Sequence, residues 1–98
     1  MNNKMSSSRE ILQLLLRIFN EIDPENFMPG HPEGAPLNEY EMECIKLQSV
    51  IVKNHNDLNL ELLKTEINTI WEEYFEKECS KADLLADKVL KEFEKYFR

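Results

Sequence analysis

Cysteine is scarce in this 98-residue sequence, and the two present, Cys44 and Cys79, stand far apart with no C-x-x-C spacing. That excludes a disulfide framework and the usual thiolate zinc signatures. Base is also in short supply. Twelve Lys and Arg stand against nineteen Asp and Glu, a formal charge of −7. Sequence-independent binding to nucleic acid or to an anionic membrane needs Lys and Arg to neutralise phosphate, so both partners are disfavoured. A basic protein would be attracted. Long hydrophobic runs are missing too: the N-terminus is polar, and the apolar stretch after it is broken by Gln13 and Arg17. It is neither a signal-peptide core nor a membrane span, and cytoplasmic residence is the expectation. Glycine and proline are absent from almost the whole chain. Both glycines and all four prolines fall within residues 23–37.

What remains reads as one helical domain over residues 1–98, with residues 1–7 as a disordered N-terminus. Apolar residues make up 42% and charged residues 32%, the balance of a globular chain rather than a disordered one. A chain of this length buries roughly 60–65% of its unfolded surface, enough for one core without metal or disulfide staples.

The expected fold is all-α, a four-helix bundle-like arrangement with a long Pro/Gly-rich loop between the first two helices. Ser7 and Glu10 read as a capping box, and Ile11, Leu15, Ile18 and Ile22 repeat at helical spacing behind it. That helix stops before Asp23-Pro24, because proline disfavours helical geometry at the residue it follows. The segment DPENFMPGHPEGAPL (23–37) is an ordered loop, stiffened by its prolines and pinned by Phe27 and Met28.

Helix 2 is expected from an Asn38 cap with Glu41 as its box acid and Leu37 with Met42 as a staple; its inner face is Tyr40, Cys44, Leu47 and Ile51. Helix 3 follows an Asn59 cap, with Leu63, Ile67, Ile70 and Tyr74 in a row. Helix 4 opens at Ser80 with Asp83, and Leu85, Val89, Phe93 and Tyr96 form its stripe. Two short joints favour antiparallel neighbours. The first connection spans roughly 45 Å if extended, so it fits helix 1 either parallel or antiparallel to helix 2.

The Ile22-Asp23-Pro24 ending, the Gly34-Ala-Pro36 step and the run Asn38-Glu39-Tyr40-Glu41-Met42-Glu43 resemble the YugE-like family of small bacterial proteins. The later pattern Leu62, Ile67, Ile70, Phe75 and Cys79 is similar as well. The likeness covers most of residues 10–93, and His31-Pro32-Glu33 departs from it as an insertion ahead of Gly34. The resemblance implies an all-α cytoplasmic protein. The family is a domain of unknown function, so no catalytic residue is carried over.

Few residues suggest chemistry. His31 and His55 lack the ligand spacings of metal sites, so no metal or cofactor is expected. Glu39 and Glu43 stand four apart, the geometry of a carboxylate pair, yet acids in a first helical turn also complement the helix dipole. Cys44 reads as core. Cys79, near a helix boundary, reads as open to solvent, and neither has the base and positive surroundings that a nucleophile needs. Trp71 falls at the edge of the helix 3 stripe beside Glu72 and Glu73, where a partly exposed indole would suit an interface.

The expectation is therefore a non-enzymatic protein-binding module, immunity- or antitoxin-like, that caps a basic partner. Its candidate contact residues are Glu72, Glu73, Glu76, Trp71, Phe27, His31, Glu39 and Glu43. One alternative is a structural or regulatory homo-oligomer paired through helix 1. A weaker one is a metal-dependent hydrolase built on the carboxylates with His31 as base.

Overall fold

In the computed structural model, which describes the backbone of residues 4–97 and the side chains of 8–95, the chain is α1 (Lys4–Ile22), α2 (Glu41–Lys53), α3 (Leu60–Phe75) and α4 (Ala82–Phe97), with no strand among the described residues. Each helix packs on two others, in the cyclic order α1–α2–α3–α4–α1. Cross-helix bonds set the directions. Gln48 reaches the Ser8 carbonyl while Asn20 reaches the Leu37 carbonyl, so α1 and α2 run antiparallel. Lys81 reaches the Ile22 carbonyl, placing the end of α1 beside the start of α4. The direction of the first helix, open on loop length alone, is settled by these contacts.

The apolar periodicity becomes the core as expected. Ile11, Leu15, Ile18 and Phe19 of α1 meet Cys44, Leu47 and Ile51 of α2, Leu63, Ile67 and Ile70 of α3, and Leu85, Ala86, Val89 and Phe93 of α4. A radius of gyration of 13.1 Å fits a close-packed domain of this length.

The helix ends follow the sequence signals less closely. α1 already begins at Lys4, within the stretch read as a disordered tail; residues 1–3 and the Ser7 side chain lie outside the described residues, as do the Tyr96 and Phe97 side chains. Asn59 does cap α3, its Oδ1 accepting from the Leu62 amide at 2.8 Å, and Leu58 and Leu63 are both buried beneath it. Asn38 does not cap α2. Residues 37–40 form a turn, the Glu41 amide bonds the Asn38 carbonyl, and the helix begins behind Tyr40 with no side-chain cap. Leu37 and Met42 stay exposed at 66% and 55%, so they form no buried staple. The reason is Tyr40, whose hydroxyl is held by the preceding loop and fixes where the helix can start.

α4 starts behind Lys81 rather than Ser80. Cys79 is buried, and its amide donates to Asn68 Oδ1 at 2.8 Å. Asp83 pairs with Lys64 across to α3 at 3.3 Å.

Between α1 and α2 the chain turns repeatedly. Asp23, Asn26 and Met28 all take positive φ, as does Gly30 at 84°. Ala35 donates to the Phe27 carbonyl, Gly30 to the Ala35 carbonyl and Gly34 to the His31 carbonyl. Gly34 is required by space: a Cβ there would lie 2.0 Å from the Met28 carbonyl oxygen. Gly34→Ala must therefore push the backbone at Met28 away, and we expect it to cost at least about 2 kcal/mol of unfolding free energy. Urea denaturation followed by Trp71 fluorescence measures this. Unaltered stability would mean that the turn relaxes freely.

Candidate functional site

The end of the protein where α1 and α3 finish and α2 and α4 begin carries a dense polar and aromatic knot. Asp23 ends α1, its amide still bonded to the Phe19 carbonyl at 2.7 Å, and it takes a left-handed φ of 51° that turns the chain back over the helices. Its Oδ1 accepts from the Phe27 amide at 2.8 Å and from the Tyr40 hydroxyl at 2.6 Å, and its Oδ2 accepts from the Met28 amide at 2.9 Å. The Tyr40 oxygen accepts in turn from the Glu25 amide at 2.9 Å. One carboxylate and one phenol thus close the loop on itself and onto α2.

Glu25 does the same for α3. Its Oε2 accepts from the Trp71 indole at 2.6 Å, and its Oε1 pairs with Lys77 at 2.9 Å. Beneath this layer the rings of Phe19, Phe27, Tyr40, Trp71 and Phe75 form one connected cluster. Tyr40 stacks on Trp71 with centroids 6.3 Å apart, and Phe27 sits 5.3 Å from Tyr40.

The electrostatics follow from these bonds. Burial alone would raise the Asp23 carboxyl, but hydrogen bonds from Tyr40, Met28 and Phe27, with Lys81 nearby, hold it below its ordinary value. Burial likewise opposes ionisation of Glu25, and the Trp71 and Lys77 bonds outweigh it. Burial, with the Asp23 bond next, pushes the Tyr40 hydroxyl upward, so it stays a donor. Both thiols are also pushed up, Cys44 by burial and then by Glu43 and Glu41, Cys79 chiefly by burial. Neither forms thiolate readily at neutral pH. Both oxygens of each knot carboxylate already accept hydrogen bonds, so the arrangement holds and orients.

The sequence-predicted contact residues scatter. Trp71 is the main correction: it is fully buried, because its indole N–H turns inward to Glu25, and it offers nothing to a partner at the surface. Phe27 is half-buried in the aromatic layer. Glu39 and Glu43 share no exposed face. Glu39 is exposed in the turn before α2, whereas Glu43 is 6% exposed, one turn before Lys46 on the flank toward α3. No donor among the described residues reaches its Oε1, and burial, then the charge of Glu39, raises its carboxyl. His31 is exposed in the loop. Glu72, Glu73 and Glu76 are exposed as expected, and Glu73 pairs with Lys46 of α2 at 3.4 Å. Among the described residues, no three His, Cys, Asp or Glu side chains converge as a metal site would require.

The sequence reading missed Asp23, Glu25 and Lys77. The signal is Asp-Pro-Glu directly after an apolar helix, which on sequence alone marks only a stop. The chain matches no known protein family, no curated protein and no solved structure.

Two outcomes are expected from the knot. Tyr40→Phe leaves the Glu25 amide and one Asp23 lone pair unsatisfied in a half-buried place, and should destabilise the fold by about 1–3 kcal/mol in chemical denaturation. The pH response has a definite sign. Because the folded-state values of Asp23 and Glu25 lie below their ordinary values of 3.8 and 4.5, their stabilisation is complete above about pH 5 and is lost as pH falls through the lowered values. Glu43, shifted the other way, adds stability as pH falls from its raised to its ordinary value, before that loss begins. Thermal melts should thus show a steep fall below about pH 4, shallower in Asp23→Asn. An equal slope in both proteins would remove Asp23 from the account.

Proposed function

We propose that this protein is a non-enzymatic binding module whose acidic surface, built on α3 and the turn after it, receives a basic protein partner. The observation that carries the reading is a local conflict at the end of α3. A helix C-terminus bears partial negative charge and favours Lys, Arg or His. α3 has no base in its last turn and instead carries Glu72 and Glu73, followed by Glu76 and Glu78.

Glu76 itself closes the helix at φ 58° and ψ 36°, a left-handed position where glycine is the residue of low cost. Two rules of helix termination are thus broken on one exposed patch, each by a glutamate. Residues that weaken their own fold in this way are characteristic of sites kept for another purpose. The knot carboxylates differ, since each is satisfied internally.

An immunity- or antitoxin-like role, in which the chain caps a cationic protein, is the concrete form of this proposal. Small size and acidity support it. Membership of the YugE-like family and residence in a bacterial cytoplasm belong to the same proposal and rest on the residue pattern given above. No helix among the described residues is long and apolar enough to cross a membrane.

The test separates stability from binding. Glu72→Lys with Glu76→Gly removes repulsion at the helix terminus and backbone strain together, and should raise the unfolding free energy by about 1–2 kcal/mol. The same variant should lose the proteins that the wild-type chain retains from its own cell lysate at low salt. A variant that is more stable yet retains the same proteins would end the proposal for this surface.

A further inference from the structure

The outer face of α2 carries apolar side chains that the described residues leave exposed. Met42, Ile45 and Val52 are exposed by 55%, 39% and 48%, and exposed Ser49 lies between them. Their positions, 42, 45, 49 and 52, alternate by three and four, the a and d sites of two heptads. Two bonds fix which way that stripe looks. Lys46 reaches across to Glu73 of α3, whereas Gln48 on the other flank reaches the Ser8 carbonyl of α1. The stripe points between them, into solvent.

In the same heptads Glu41 and Gln48 occupy the g sites, and Lys46 and Lys53 the e sites. This charge pattern selects the occupant. In a parallel pair, each g residue of one helix meets the e residue five positions later on the other. Glu41 would then meet Lys46 of a second copy, twice by symmetry, and Gln48 would meet Lys53. In an antiparallel pair like flanks face each other, which would bring lysines against lysines. Lys46 has three donors, so its bond to Glu73 does not prevent a second carboxylate from binding.

We propose that α2 is a self-association surface, through which two copies of this chain pair in parallel and in register, with residues 42, 45, 49 and 52 along the seam. The surface is distinct from the acidic patch on α3, which it borders at the Lys46–Glu73 pair. A helix of 13 residues is only about 20 Å long, so the contact lies at the small end of protein interfaces, and dissociation on the order of 100 µM is expected.

Sedimentation equilibrium on the full chain, from about 10 µM to about 1 mM, brackets that value. The weight-average mass should rise with concentration from the monomer's 11.7 kDa toward the dimer. Ile45→Glu with Val52→Glu, at exposed positions that leave the core untouched, should weaken association at least about tenfold. Glu41→Lys should also weaken it, and Glu41→Lys combined with Lys46→Glu should restore it. Circular dichroism checks that each variant is folded. Ser49→Cys should form an intermolecular disulfide on oxidation, since position 49 meets its own copy only in the parallel register, and both native cysteines are buried. The proposal is overturned by a mass that stays at the monomer value throughout, by association indifferent to the Ile45 and Val52 changes, or by self-association in which Cys at position 49 does not cross-link.

Discussion

The hydrogen bond from Tyr40 to Asp23 is the constraint on which the rest of the architecture turns. It joins the residue that follows α1 to the residue that precedes α2 at 2.6 Å, across the longest connection between the helices. Because the same carboxylate accepts the Phe27 and Met28 amides, the loop cannot slide without breaking the joint. Tyr40 in turn lies over Trp71, and Trp71 donates to Glu25 two residues beyond Asp23. α1, the loop, α2 and α3 are thereby referenced to one point, and α4 joins through Lys81 on the Ile22 carbonyl. At the other end the connection 54–59 is short, and Asn59 caps the start of the next helix.

This explains how much of the fold was legible in the sequence. Apolar spacing located the four helices and nearly the whole core, because burial selects residue type at every turn. Cap signals succeeded at Asn59, where a short joint leaves local chemistry in control. They failed at Asn38 and Ser80, where a distant partner holds the neighbouring residue: Asp23 for Tyr40, and Asn68 for Cys79. Trp71 was misplaced for a related reason. Its neighbours in sequence are glutamates facing water, but its indole answers to a glutamate forty-six positions away, which no helical wheel reveals. Glu39 and Glu43 looked equivalent at a spacing of four. Starting the helix behind Tyr40 put one in a turn and the other inside.

The acids therefore fall into distinct physical classes, though the sequence presents them alike. Asp23 and Glu25 are half-buried, fully bonded and held ionised, so their charge is spent on the fold. Glu43 is buried without a donor at its Oε1 and is driven toward its neutral form. Glu72 and Glu76 are exposed at the negative end of a helix, where their charge works against the fold.

Of these three classes, the last turns its charge outward. The net charge of −7 overstates the field available at the loop end, since Lys77 and Lys81 stand beside the knot carboxylates, and understates it along α3. The proposed basic partner would be selected by where charge is left uncompensated and not by its total. The apolar stripe on α2 obeys the same logic in hydrophobic terms. Its flanking residues carry both signs, Glu41 on one side and Lys46 and Lys53 on the other, so it repels a mismatched register while accepting a matched one. The two outward faces are adjacent in the ring of helices and linked through Lys46 and Glu73, yet they differ in chemistry, one acidic and one apolar with flanks of both signs.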